Sequence, residues 1–275
     1  MFLVNGQPCN KIGINDRGLQ YGDGLFETIA VQDDTLLCWD KHISRLEQGC
    51  NRLNIPIPDQ DILKNEASLL INSIDRGVIK VIITRGQGGR GYALPDTLES
   101  TRIVSLYPWP EYPNENSITG INTLICHYQY ALNPILAGIK HLNRLEQILA
   151  RSEWTDVSIT EGIVLDQHKN VIEGTMSNLF YIINDTLCTP DLSACGVEGI
   201  IRQKIIELAT DLKIDVCIKK TSFELLSDAD EVFVCNSIIG VWPVKMIGQQ
   251  SFLVGNKTNE IKLALQARNF IPTSC

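Results

Sequence analysis

A chain of 275 residues with 44% apolar and 20% charged side chains is ordinary for a soluble globular protein and long enough for one large or two moderate domains. Its net charge of −8 argues against a nucleic-acid groove, which needs clustered Lys and Arg, although a local arginine cluster can still receive an anionic substrate. No apolar run reaches the roughly 20 residues that span a bilayer. The start, Met1-Phe2-Leu3-Val4-Asn5-Gly6, also lacks the basic and long apolar regions of a secretory signal; a cytoplasmic protein without a membrane partner is expected.

In chain order, Phe2-Leu3-Val4 before Asn5-Gly6 predicts a strand entering a tight hairpin. Residues 25–31 and 35–38 predict a second hairpin across Gln32-Asp33-Asp34. A helix over 40–53 follows from Ile43, Leu46, Cys50 and Leu53, with Asp40 as its cap; Arg45 falls off that apolar stripe. A further helix is predicted over 59–73, then β-branched strands over 78–84 and 102–106. Three prolines in Pro108-Trp109-Pro110-Glu111-Tyr112-Pro113 predict a stiff linker. Strands resume over 119–125, 162–165, 171–183 and 231–234, with helices over 142–153 and 199–212. Mixed strands and helices with hairpins indicate an α+β chain of two unequal domains, 1–107 and 119–275, joined by a linker at 108–118.

Nine cysteines (Cys9, Cys38, Cys50, Cys126, Cys188, Cys195, Cys217, Cys235 and Cys275) are odd in number and scattered, with no Cys-x-x-Cys pair. His42, His127, His141 and His168 have no zinc-like spacing, so no metal is expected and the thiols read as small buried hydrophobes.

Two segments carry chemistry together. Lys140, in Gly138-Ile139-Lys140-His141-Leu142-Asn143-Arg144, reads as a lysine entering a helix, and Glu173 follows 33 positions later in Val171-Ile172-Glu173-Gly174-Thr175-Met176-Ser177-Asn178. Such a pair can grip both reactive ends of pyridoxal phosphate: the amine condenses with the aldehyde, and the carboxylate keeps the pyridine nitrogen protonated. Gly196-Val197-Glu198-Gly199-Ile200-Ile201 opens a helix whose N–H groups suit a phosphate, though an ordinary helix start reads the same way. Gly86-Gln87-Gly88-Gly89-Arg90-Gly91 follows a strand, but Tyr92-Ala93-Leu94-Pro95-Asp96 after it cannot open the helix that a dinucleotide fingerprint requires. The glycines instead make a mobile loop presenting Arg90 and Tyr92.

These segments, with Tyr21-Gly22-Asp23-Gly24-Leu25-Phe26-Glu27-Thr28, resemble the fold-type IV pyridoxal-phosphate enzymes over essentially the whole chain. Within that group, Asn133-Pro134-Ile135-Leu136-Ala137-Gly138-Ile139-Lys140-His141-Leu142-Asn143-Arg144-Leu145-Glu146-Gln147 is most similar to the 4-amino-4-deoxychorismate lyases. The resemblance implies a small N-terminal and a larger C-terminal domain, with pyridoxal phosphate in the interdomain cleft, and a homodimer. It places Arg45, Asn178, Ile200, Ile201, Ser237 and Ile238 on the cofactor beside Lys140 and Glu173, and Arg90, Tyr92 and Thr28 on the substrate. The implied reaction converts 4-amino-4-deoxychorismate to 4-aminobenzoate and pyruvate in folate biosynthesis, with Lys140 as general base at C4 and Arg90 on a substrate carboxylate.

Two other readings remain. A branched-chain or D-amino-acid aminotransferase would use the same cofactor contacts; Glu27 resembles the transaminase version, whereas Arg90-Gly91-Tyr92 lacks the Arg-x-His clamp of the D-amino-acid enzymes. A non-catalytic cofactor-binding or interaction protein would have no need of both Lys140 and Glu173.

Overall fold

The computed structural model describes residues 1–94 and 99–273; Pro95, Asp96 and Cys275, cited above, lie outside the described residues. The chain divides into two compact units, Met1–Pro110 with Ile139–Asn143, and Glu111–Gly138 with Arg144–Cys275.

The first unit contains β1 (Phe2–Val4), β2 (Gln7–Pro8), α1 (Arg17–Tyr21), β3 (Gly24–Gln32), β4 (Thr35–Leu36), α2 (Trp39–Leu53), α3 (Gln60–Leu70), β5 (Arg76–Thr84) and β6 (Thr101–Pro108). Both predicted hairpins form, and the strands make one antiparallel sheet ordered β2-β1-β6-β5-β3-β4. Strand alternation puts Leu25, Glu27 and Ile29 on one face of β3, and Phe26 and Thr28 on the other. α2 packs on the Leu25 face through Trp39, Ile43, Leu46 and Cys50. It comes so close that a Cβ on Gly49 would sit 2.6 Å from Leu25 Cδ2. Asp40 is not the cap: Cys38 holds that position at φ 54, with no side-chain capping hydrogen bond, and Asp40 lies in the first turn. Asp59 does cap α3, which ends at Leu70 rather than at 73.

The second unit contains α4 (Glu115–Ile118), β7 (Ile121–Tyr130), α5 (Leu145–Arg151), β8 (Glu161–Asp166), β9 (Asn170–Gly174), β10 (Asn178–Ile183), β11 (Thr186–Pro190) and α6 (Ile200–Asp211). Then come β12 (Val216–Lys219), β13 (Thr221–Ser222), α7 (Phe223–Ser227), β14 (Glu231–Asn236), β15 (Gly240–Ile247), β16 (Gln250–Ser251) and α8 (Asn256–Ala267). Its ten-stranded mixed sheet runs β12-β11-β10-β14-β15-β7-β8-β9-β13, with β16 beside β15. Both faces of β10 are buried. Leu179 and Tyr181 join Val232, Val234 and Trp242 in one core. Phe180 and Ile182 join Phe233, Ile201, Ile205, Ile261 and Leu265 in another, beneath α6 and α8. Double burial explains the unbroken apolar run of this strand.

Four further expectations are corrected. Residues 171–183 form two strands, β9 and β10, separated at 175–177. The segment 108–118 is not a continuous linker: the unit boundary follows Pro110, and residues 115–118 are helical. The division at 119 misplaces Lys140, because Ile139–Asn143 group with the first unit. Lys140 does not enter a helix, since α5 begins only at Leu145.

Candidate active site

In the first unit, β3 presents two different chemistries on its two faces. Toward α2, Glu27 accepts Arg45 Nε at 2.8 Å on Oε1 and Arg45 Nη2 at 2.5 Å on Oε2, and His42 Nδ1 lies 2.7 Å from Oε2. All three residues are buried. Burial alone would raise the Glu27 carboxyl, but the Arg45 charge and the His42 and Arg45 hydrogen bonds outweigh it and hold it at about 2. Burial keeps the His42 imidazole below its ordinary range. Arg45 is thus not a solvated arginine on an exposed helix face: a bidentate carboxylate fixes its plane.

The other face carries Phe26 and half-buried Thr28. Lys140 reaches it from a short stretch hydrogen-bonded to the β3 backbone, where Phe26 N–H donates to Lys140 O and Leu142 N–H donates to Gly24 O, each at 2.9 Å. An isolated bridge pairs Leu25 with His141 between these bonds. Lys140 Nζ stands 4.6 Å from the centre of the Phe26 ring. The lysine is therefore placed by main-chain bonds rather than by a helix.

Arg90 and Tyr92 are exposed on the glycine-rich loop. The loop base is tethered: Arg17 Nη1 donates to Gly91 O at 3.0 Å, Gly91 N–H donates to Tyr21 Oη at 3.2 Å, and Tyr92 meets the Tyr21 ring edge-on at 5.6 Å. Asp23 in turn accepts Arg17 Nε at 2.9 Å and Arg85 Nε at 2.7 Å. Burial would raise the Asp23 carboxyl, but these two arginines hold it below its usual range. Arg90 lines an open pocket of about 530 Å³ with Asn15, Gln20 and Tyr21.

In the second unit, turns converge around a buried carboxylate. Glu173 Oε2 accepts Asn178 Nδ2 and Val197 N–H, each at 3.0 Å. Asn178 also donates to Val197 O at 2.9 Å and accepts Gly199 N–H at 3.0 Å, so one amide joins β9, β10 and the start of α6. That start has no side-chain cap, and Ile200 and Ile201 are its first two residues. A Cβ on Gly199 would collide with Asn178 Oδ1. Ser237 and Ile238 lie in the turn between β14 and β15. The Ile238 amide already donates to Asn236 Oδ1 at 2.8 Å, which weakens its candidacy as a phosphate donor.

Glu161 escaped sequence reasoning. It is fully buried and accepts Gly162 N–H, Thr175 N–H and Oγ1–H, Met176 N–H and Ser177 Oγ–H, which fix the turn between Glu173 and Asn178. An acidic residue beginning an apolar run was its one visible signal. Among the described residues every cysteine is a free thiol, and burial pushes Cys50, Cys126 and Cys195 up to about 12, so they stay protonated.

The residues fit pyridoxal phosphate in kind. An amine, a buried carboxylate with an oriented oxygen, and an uncapped helix start are the three partners that its aldehyde, ring nitrogen and phosphate require.

Residues 24–247 match a family model described as amino-transferase class IV. An aminodeoxychorismate lyase from Vibrio harveyi is 34% identical over 267 residues, covering 95% of this chain and 98% of that protein. A solved 4-amino-4-deoxychorismate lyase from Pseudomonas aeruginosa superposes with a TM-score of 0.95 at 42% identity, over 98% of this chain and 100% of the other. The branched-chain amino acid aminotransferase of Escherichia coli gives 0.89 at 27% identity, over 97% and 93%.

Proposed function

Because this chain belongs to the amino-transferase class IV family, whose chemistry depends on pyridoxal phosphate, we propose that it converts 4-amino-4-deoxychorismate to 4-aminobenzoate and pyruvate. The observation that carries the reading is the full-length likeness to two lyases, at 34% and 42% identity, against 27% for the aminotransferase. When bound, pyridoxal phosphate supplies an aldehyde that takes up an amine and a protonated ring that accepts electrons.

The chain's own residues then have separable tasks. Lys140 Nζ is the general base that receives the proton from C4 of the substrate, and its main-chain bonds to β3 orient it for that transfer. Glu173, oriented by Asn178 and Val197, accepts the N–H of the pyridine ring. The N–H groups of Ile200 and Ile201 and the Ser237 hydroxyl hold the phosphate. Glu27 takes the Nε–Nη2 edge of Arg45 and so fixes the plane of the guanidinium that the phosphate would meet. Arg90, with Tyr92 and Thr28, receives the substrate.

A homodimer is part of the reading, supported by Leu145, Ile148 and Leu149, which leave an apolar stripe of α5 exposed. The cytoplasm suits the free thiols; no described helix is long and apolar enough to cross a membrane.

The test is incubation of holoenzyme with 4-amino-4-deoxychorismate and no amino acceptor. Equal amounts of 4-aminobenzoate and pyruvate are expected. Turnover that instead demands a 2-oxo acid, with ping-pong kinetics on amino-acid donors, makes the protein an aminotransferase.

A further inference from the structure

Two lysines share one aromatic ring in the first unit. Lys140 Nζ stands 4.6 Å and Lys80 Nζ 5.1 Å from the centre of Phe26. The two ammonium groups are therefore no farther apart than those distances laid end to end. Lys80 projects half-buried from the middle of β5, and strand register sets it directly between Thr28 of β3 and Ser105 of β6. Directly opposed residues project to the same side of a sheet with Cβ atoms about 4.5–5.5 Å apart. A hydroxyl, an ammonium and a second hydroxyl thus form a row across three strands, on the face of β3 opposite Glu27.

The charge of Lys80 is uncompensated. Among the described residues it has no carboxylate or hydrogen-bond acceptor, only the Phe26 ring, in a chain where 32 acidic residues outnumber 24 basic ones. The hydroxyls of Thr28 and Ser105 are likewise uncommitted among the described residues. A partly desolvated cation flanked by two idle hydroxyls is a receptor for an anion.

We propose that Lys80, with Thr28 and Ser105, is the subsite for the ring carboxylate of a substrate whose amine-bearing carbon faces Lys140. The proposal rests on the lyase reading in taking that substrate to be an amino-carboxylate, and it gives the reading a source of specificity. An α-amino acid carries its carboxylate one carbon from the amine. A six-membered ring with amine and carboxylate at opposite ends carries it a ring's width away, which is the separation that two ammonium groups flanking one phenyl ring can span. Arg90 is then left for the carboxylate of the departing side chain.

The experiment compares wild-type, Lys80→Met and Lys80→Arg holoenzymes. Steady-state kinetics use 4-amino-4-deoxychorismate, and the visible band of the bound cofactor is titrated with 4-aminobenzoate and with aniline, which lacks the carboxylate. Lys80→Met is expected to keep the band and raise KM about ten- to a hundredfold, as for a lost charged hydrogen bond, with kcat changed much less. It should weaken 4-aminobenzoate by a similar factor, leave aniline unchanged, and be largely rescued in Lys80→Arg. Unchanged KM and 4-aminobenzoate affinity in Lys80→Met overturns the subsite and leaves the lyase reading standing. So does an equal loss for aniline, or loss of the cofactor band itself. Should wild-type enzyme fail to turn over 4-amino-4-deoxychorismate, the lyase reading falls, and the two titrations still decide Lys80.

Discussion

Glu27 is the residue whose environment does most to couple stability to pH. Its carboxyl is held at about 2 against an ordinary 4.5, a difference worth on the order of 3 kcal/mol of folding free energy. Because the folded value is the lower one, that stability is fully present above about pH 4.5 and is lost as pH falls toward 2. Burial of His42 depresses its proton affinity below the usual 6.5, so it also favours the folded state more as pH rises, and its loss begins at higher pH. Glu27→Gln should cost about 3–5 kcal/mol at pH 7 by removing the carboxylate that pairs with buried Arg45. It should also flatten the fall in stability between pH 4.5 and 3. Urea midpoints across that range would read both effects, and a variant keeping the wild-type acid slope would clear Glu27 of the role. This trio was only half legible in the sequence: Arg45 stood out by resemblance, but its partner lies 18 positions away and declares itself only when β3 and α2 pack.

Among the elements, the start of α6 is the one proposed to hold the cofactor phosphate. Gly199 leaves its first turn uncapped while Asn178 holds its amide. Gly199→Ala should keep the helix but displace Asn178, weakening retention of pyridoxal phosphate by about tenfold, as for one lost charged hydrogen bond. Cofactor titration of the dialysed protein measures this; affinity equal to wild type would remove the phosphate from this turn. Elements with local signals were legible: α2 and α3 by apolar spacing, and the first hairpin by Asn5-Gly6. Elements organised from a distance were not. The polar start of α8 is held by Glu231 of β14, whose carboxylate accepts Lys257 and Thr258 N–H, and its apolar positions are sparse. The break between β9 and β10 is held in large part by Glu161, 14 to 16 positions upstream of Thr175 and Ser177.

For the molecule as a whole, the chain passes from the second unit into the first at Ile139 and back after Asn143. Lys140 and Glu173 stood out in the sequence as candidates, but this excursion did not, since it is written in main-chain bonds that form whatever the side chains. One consequence is separability. Lys140→Ala should abolish turnover and the visible band of the bound cofactor, yet shift the urea midpoint little, because Phe26 and Gly24 bond to the backbone of the segment. A large loss of stability in that variant would mean that the ammonium contact with Phe26 holds the segment instead.

The same excursion bears on synthesis at the ribosome. When residue 110 has been added, every strand of the first sheet exists, but Gly24 O and Phe26 N–H still lack the partners that Leu142 and Lys140 supply. An unpaired stretch along one side of a strand invites wrong pairing. It stays open until about thirty further residues have been translated, at roughly 5–20 residues per second. The residue proposed to perform the chemistry therefore arrives on the segment that closes this stretch, and a nascent chain halted before it leaves both the site and the sheet unfinished.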